Sequence, residues 1–208
     1  MLLKKILQFC LGNRLIYRMN CNEKVVALTF DDGPNAQYTE KILDVLNVNE
    51  VKATFFLVGD QVEKNKVIAQ RIVGQGHCIG SHTVDHRGFG LLSLSEKQIQ
   101  IEKGIKVLKD SLGVSTRLFR PPQGCLSIGH ILYCLKKGIT TAMWSLDSMD
   151  YKLKDSNWII SRIKDQTIKN GDIILFHDDN KATLDALAVI IPYLQDKGFG
   201  FRTIEEMM

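Results

Sequence analysis

The chain has 208 residues, 45% of them apolar and 24% charged, with a formal charge of +4 from 27 Lys and Arg against 23 Asp and Glu. These values exclude disorder, collagen and coiled coil, and a charge this small does not point to nucleic acid. At this length one domain has core enough to fold without disulfides or a structural metal, so a metal found here serves chemistry.

The first stretch, Met1 to Leu11, places Leu3, Ile6, Leu7, Cys10 and Leu11 on one helical face beside Lys4 and Lys5. It lacks a small-x-small cleavage site, and no apolar run in the chain is long enough for a transmembrane helix. An amphipathic helix is expected, packed on the domain or lying on a membrane surface. Residues 1–22 are read as an amphipathic extension and 23–208 as the main domain. Five cysteines (Cys10, Cys21, Cys78, Cys125, Cys134), odd in number and without C-x-x-C, fit reduced thiols and a cytoplasmic location, at the membrane surface only where the N-terminal helix lies on the membrane rather than on the domain.

Buried strands are expected at Val25 to Phe30, Ala53 to Val58, His77 to Ser81, Arg117 to Arg120, Ile139 to Leu146, Asp172 to Phe176 and Gly198 to Thr203. Helical spacing fills the gaps at Tyr38 to Asn47, Lys66 to Gly74, Ser95 to Leu112, Ile128 to Lys137, Trp158 to Lys169 and Leu184 to Lys197. Ser95 and Gln98 have capping-box spacing, and Gly113 and Gly138 stand where helices should stop. A βα alternation of about seven strands predicts a parallel sheet covered by helices, either a barrel or a doubly wound sheet.

Polar residues gather just after the strands: Asp31 and Asp32, His82 and His86, Arg120, Asp147 and Asp150, His177 and Asp178. In parallel α/β architectures these strand ends open on one face, so the groups converge. Two adjacent carboxylates closing a buried strand repel unless a cation lies between them. His82 and His86, four apart, meet on one ion if the chain turns helically there, and Asp32 completes a two-His, one-carboxylate set for zinc or another divalent first-row ion. Arg120, on the rigid turn with Pro121 and Pro122, is read as a functional guanidinium or a structural ion pair. His177 beside carboxylates is held protonated, which suits a general acid, or it is a satisfied core histidine.

Five segments in order, Thr29-Phe30-Asp31-Asp32-Gly33, Ser81-His82-Thr83-Val84-Asp85-His86, Arg120-Pro121-Pro122-Gln123-Gly124, Asp147-Ser148-Met149-Asp150-Tyr151 and Leu175-Phe176-His177, give a chain that resembles the polysaccharide deacetylases of NodB homology, carbohydrate esterase family four. The resemblance implies a distorted, incomplete (β/α) barrel and metal-dependent removal of an acetyl group, chiefly N-linked, from a saccharide. It implies Asp31 as general base, Asp32, His82 and His86 as metal ligands, and His177 as general acid held by Asp150. Arg120 would orient Asp31, and Leu175 would line the acetyl pocket. The cofactor implied is one divalent ion, zinc ahead of cobalt, nickel, manganese or iron. Gln123 stands where the family usually has Tyr, its main-chain N–H serving the oxyanion, and Tyr151 stands where it usually has Trp, on the acyl wall. A catalytically weak saccharide-binding module on the same fold and an amidohydrolase of a non-sugar amide are the competing functions.

Overall fold

The computed structural model describes residues 11–208; the helix expected from Met1 to Leu11 therefore lies almost wholly outside the described residues. Nine strands follow in chain order: β1 (Leu15–Ile16), β2 (Val25–Asp31), β3 (Thr54–Leu57), β4 (Cys78–Ser81), β5 (Leu118–Phe119), β6 (Thr140–Ala142), β7 (Leu146–Asp147), β8 (Asp172–His177) and β9 (Gly200–Phe201). Seven helices lie between them: α1 (Thr39–Val48), α2 (Gly59–Lys64), α3 (Lys66–Gly74), α4 (Leu94–Leu112), α5 (Ile128–Lys137), α6 (Ser156–Lys164) and α7 (Lys181–Asp196). Every strand pair is parallel, in the order β1-β6-β5-β4-β3-β2-β8-β7, with β9 also on β2. The sheet curls into the incomplete barrel that the sequence implied.

Strand β2 is buried along its whole length, as a central parallel strand must be. Its alternate residues Val26, Leu28 and Phe30 point outward and pack with Phe176, Ile42, Leu187 and Ile190 beneath the helices. Ala27 points the other way, into a smaller core inside the barrel with Phe56, Leu118, Ala142 and Ile173. The period of two then places Thr29 and Asp31 on β2, and Leu175 and His177 on β8, along that same inner face. This alternation is what delivers the functional groups to the barrel mouth.

Four local expectations change. The expected strand Ile139 to Leu146 breaks at Met143–Ser145 into β6 and β7, since the Met143 and Ser145 amides turn to Ile16 and Ile173 on different neighbours. Helix α2 had no sequence expectation. The cap of α4 is Ser93 rather than Ser95, because the Glu96 carboxylate accepts from the Ser93 amide (2.8 Å) and the Ser93 hydroxyl accepts from the Glu96 amide, a stronger box than the neutral Gln98 would form. Strand β1 adds sheet ahead of residue 23. It pairs with β6, and beyond it Met19 N–H donates to Gly171 O (2.9 Å) while Arg18 meets Asp172 (2.5 Å). Residues 15–19 thus stitch the β6 edge to β8 across the gap in the barrel. Gly171 has φ +75, and a Cβ there would lie 2.0 Å from Met19 O, so this crossing requires glycine.

Candidate active site

Register brings Asp31 opposite His177 across the β2–β8 pair. Asp31 is buried at 3% exposure and Arg120, just past β5, is fully buried. The Arg120 guanidinium donates to Asp31 Oδ1 (2.8 Å), Thr29 Oγ1 (2.9 Å), Ala142 O (3.0 Å) and Met143 O (2.9 Å) and stacks 4.0 Å from the Phe56 ring centre. So many fixed partners leave Asp31 one orientation, with Oδ2 turned to the cavity side, 3.8 Å from His82 Nε2.

The backbone carbonyl of Arg120 has a second task. It lies 2.8 Å from His82 Nδ1, and since a carbonyl only accepts, Nδ1 carries the proton and Nε2 presents a lone pair. His82 Nε2 and His86 Nε2 stand 3.4 and 3.1 Å from Asp32 Oδ1. His86 arrives there by a route other than a helical turn. Thr83 and His86 both have positive φ (72° and 53°), Thr83 Oγ1 accepts the His86 amide, and the Gln100 side chain holds Val84 N–H and the Asp85 carboxylate. Asp32 also has positive φ, at 76°. Among the described residues, five of the six non-glycine residues with positive φ, Asp32, Thr83, His86, Gln123 and Met149, lie in these loops, as strained backbone does at functional sites.

Asp32, His82 and His86 each offer one atom that could ligate a metal, these atoms lying within 4.8 Å of one another, and Asp32 Oδ1 is buried without a hydrogen-bond donor. A carboxylate oxygen orphaned between two imidazole nitrogens fits a divalent ion. Burial pushes the Asp32 carboxyl up, but the facing imidazoles outweigh it and hold it well below the usual carboxylate range. The Asp32 carboxylate pushes His86 up, against its burial.

Across the cavity, Asp150 is fully buried and accepts from His177 Nδ1 (2.7 Å), the His177 amide (2.8 Å) and Thr183 Oγ1 (2.6 Å). Burial alone would lower His177, yet Asp150, with Asp31 and Asp32 farther off, raises it to about 9. The Tyr151 ring meets the His177 ring edge-on at 5.4 Å.

These groups line one cavity of about 260 Å³. Asp31, Asp32, His82, His86, Gln123, Tyr151, Leu175 and His177 all reach it, while Arg120 and Asp150 stand behind the groups they hold. Trp144 and Asp147 also line it, although Trp144 carried no sequence expectation and Asp147 no assigned role. Trp144 lies in the break between β6 and β7; an aromatic inside an expected strand gives no sign in the sequence of turning toward the mouth. Asp178, by contrast, is fully buried away from the cavity against Gly33, where Thr39 Oγ1 donates to Oδ2. Burial pushes Asp178 up to about 7, against the Thr39 hydrogen bond.

The sequence profile described as polysaccharide deacetylase matches residues 18–142. A peptidoglycan-N-acetylglucosamine deacetylase of Bacillus cereus is 36% identical over 190 residues, covering 89% of this chain and 69% of its own length. Among solved structures, a peptidoglycan N-acetylglucosamine deacetylase superposes with a TM-score of 0.91 at 33% identity, over 97% of this chain and 96% of its own. A carbohydrate esterase family four pseudoenzyme of Bacillus anthracis superposes with 0.87 at 30% identity, over 94% of this chain and 69% of its own. With its profile match over more than half of the sequence and its five segments at one cavity, this chain belongs to the polysaccharide deacetylase family.

Proposed function

We propose that the protein hydrolyses the N-acetyl group of an N-acetylated sugar in a glycan and releases acetate, using one divalent metal ion. The observation that carries this reading is the placement of Asp31 and His177 in register on neighbouring strands, facing one cavity beside the Asp32, His82 and His86 cluster. N-acetylglucosamine is the sugar that the relatives' names point to. Likeness to a pseudoenzyme makes the complete set of groups the point that favours turnover over bare saccharide binding.

Asp32, His82 and His86 would hold the ion, zinc by its affinity for such a donor set, which supplies Lewis-acid polarisation of the acetyl carbonyl. Asp31 Oδ2 takes the proton of the attacking water, while Arg120 on Oδ1 keeps the carboxylate aligned. The Gln123 main-chain N–H, on the cavity rim, is assigned to the developing oxyanion. An amide nitrogen leaves only as an amine, so His177 Nε2, protonated and held from the other ring nitrogen by Asp150, delivers the second proton. Leu175 and Tyr151 wall the methyl group, joined by Trp144.

The test is acetate release from N-acetylglucosamine oligomers, peptidoglycan fragments and acetylated xylan, before and after chelation and metal add-back. Binding of these sugars without acetate would establish the binding module, and release of another acid from a non-sugar amide the third reading.

The proposal includes a cytoplasmic location with peripheral membrane contact. Cys21, Cys78, Cys125 and Cys134 are free, and burial raises the Cys78 and Cys134 thiols to about 12 and about 11, leaving them inert. No helix among the described residues is long and apolar enough to cross a membrane. Cell fractionation decides the matter, recovery of the protein outside the cell being the contrary result.

A further inference from the structure

Two segments remote in sequence, residues 1–22 and 111–146, together contain eight Lys and Arg and not one Asp or Glu. The rest of the chain, with 19 basic and 23 acidic residues, is net acidic. The fold brings the described part of the first, from Leu11 on, against the second. Beyond the pairing of β1 with β6, Leu11 packs on the same cluster of Leu15, Tyr17 and Met143 that Leu126 and Ile131 cover, Arg14 donates to Gly138 O (2.9 Å), and Thr140 Oγ1 donates to Asn13 O (3.2 Å). Arg18 and Arg120 turn inward to Asp172 and Asp31, and Lys137 meets Glu102 of α4. Arg14, Arg117 and Lys136 stay in solvent. The Arg117 and Arg14 guanidinium groups come within 3.1 and 3.9 Å of the place a Cβ on Gly138 would take, and among the described residues neither is in an ion pair with a carboxylate.

Beside these cations, helix α5 is apolar on its outer side. His130 and Cys134 face the core, whereas Ile128 and Leu132, one turn apart, are 79% and 59% exposed. Leu94, itself 45% exposed, extends the stripe by packing on Gly129, and Leu91, 95% exposed, lies on the turn that touches Pro122–Gly124. Isolated exposed leucines need no explanation, but an apolar stripe bordered by guanidinium groups that, among the described residues, have no carboxylate partner does.

We infer that this face, formed by Ile128, Leu132, Leu94 and Leu91 with Arg14, Arg117 and Lys136, docks on an anionic lipid bilayer. Acyl chains receive the apolar side chains and headgroup phosphates the guanidinium groups, while a soluble polyanion would use only the charge. In sequence, residues 1–10 are apolar with Lys4 and Lys5 and no acid, which adds to the basic, acid-free character of the chain just ahead of Arg14. The Gln123 turn ties this face to the cavity rim, so a glycan held at the bilayer surface would enter from that side. The inference reads binding rather than turnover, and stands whether or not the deacetylase reading does.

Vesicle flotation of the full chain tests it, with phosphatidylcholine vesicles and with the same vesicles containing phosphatidylglycerol. The expected result is binding to the anionic vesicles that weakens as salt rises. Ile128→Glu/Leu132→Glu should reduce that binding roughly tenfold or more, and Arg14→Glu/Arg117→Glu similarly. Circular dichroism of both variants should match the parent, as all four side chains are exposed. Three results would overturn the inference. These are no binding by the parent, undiminished binding by both variants with loss only on deletion of residues 1–10, and a parent dimer that Ile128→Glu/Leu132→Glu dissociates, which would assign the face to a second copy.

Discussion

Asp150 grips His177 with both carboxylate oxygens, one on the ring Nδ1 and one on the backbone amide, so that the imidazole has a single orientation and Nε2 alone faces the cavity. Charge and geometry come from the same contact.

That contact sets the alkaline limb of the pH profile. With His177 raised to about 9, the imidazole is protonated through neutrality and loses its proton only above that range. Asp150→Asn removes the main charge that opposes burial and leaves only the more distant Asp31 and Asp32, so His177 should fall from about 9 toward its ordinary value near 6.5, a shift of roughly two pH units. The alkaline limb of kcat/KM should move down by that amount while the acid limb stays in place. A limb that does not move in an active variant would separate the acid from Asp150.

Asp31→Asn should retain the metal and lose turnover by about 10²- to 10⁴-fold, because an amide in the same place still accepts from Arg120 but takes no proton from water. Asp32→Asn should do the opposite first, losing metal. Elemental analysis alongside acetate release distinguishes the two, and the reverse pattern would exchange their roles.

Metal content should be one divalent ion per chain, and His82→Ala/His86→Ala should abolish it. These residues close strand ends rather than fill the core, so the variant should keep the parent's far-ultraviolet spectrum. Stoichiometric metal in the double variant would place the ion elsewhere.

Gly33→Ala should be among the more damaging small substitutions. Its Cβ would lie 2.1 Å from Asp178 Oδ2, in a carboxyl group that is wholly buried and held by Thr39. Overpacking of this kind costs about 1–3 kcal/mol, read by urea unfolding, and the displaced turn should also weaken metal retention through Asp32. Adding Asp178→Ala opens the space and should restore part of both; no recovery would mean that the clash is not the cause.

The seven expected strand regions all contain strand, and Lys66–Gly74 and Ile128–Lys137 match their expected helices at both ends, because period and terminal residues are local signals. Strand β1 escaped notice since two residues carry no period, and its place depends on β6, far along the chain. The site divides in the same way. Asp31, Asp32, His82, His86 and His177 were legible as polar residues ending apolar runs. The closeness of Asp178 to Gly33, the turn of Trp144 into the cavity and the meeting of two acid-free segments are properties of packing between distant residues, which no window of sequence displays.

The stitching of the barrel by residues 15–19 has a consequence for biosynthesis. Leu15 pairs with Thr141, about 125 residues later, and Arg18 with Asp172 later still. At roughly 5–20 residues per second, the segment emerges about 6–25 seconds before its first sheet partner. During that interval Leu15, Ile16 and Tyr17 have no sheet to join, and the nascent barrel has an open seam. Co-translational folding of β2 to β5 can begin without them, but closure waits for β6 and β8, which makes the earliest residues of the domain among the last to reach their final place.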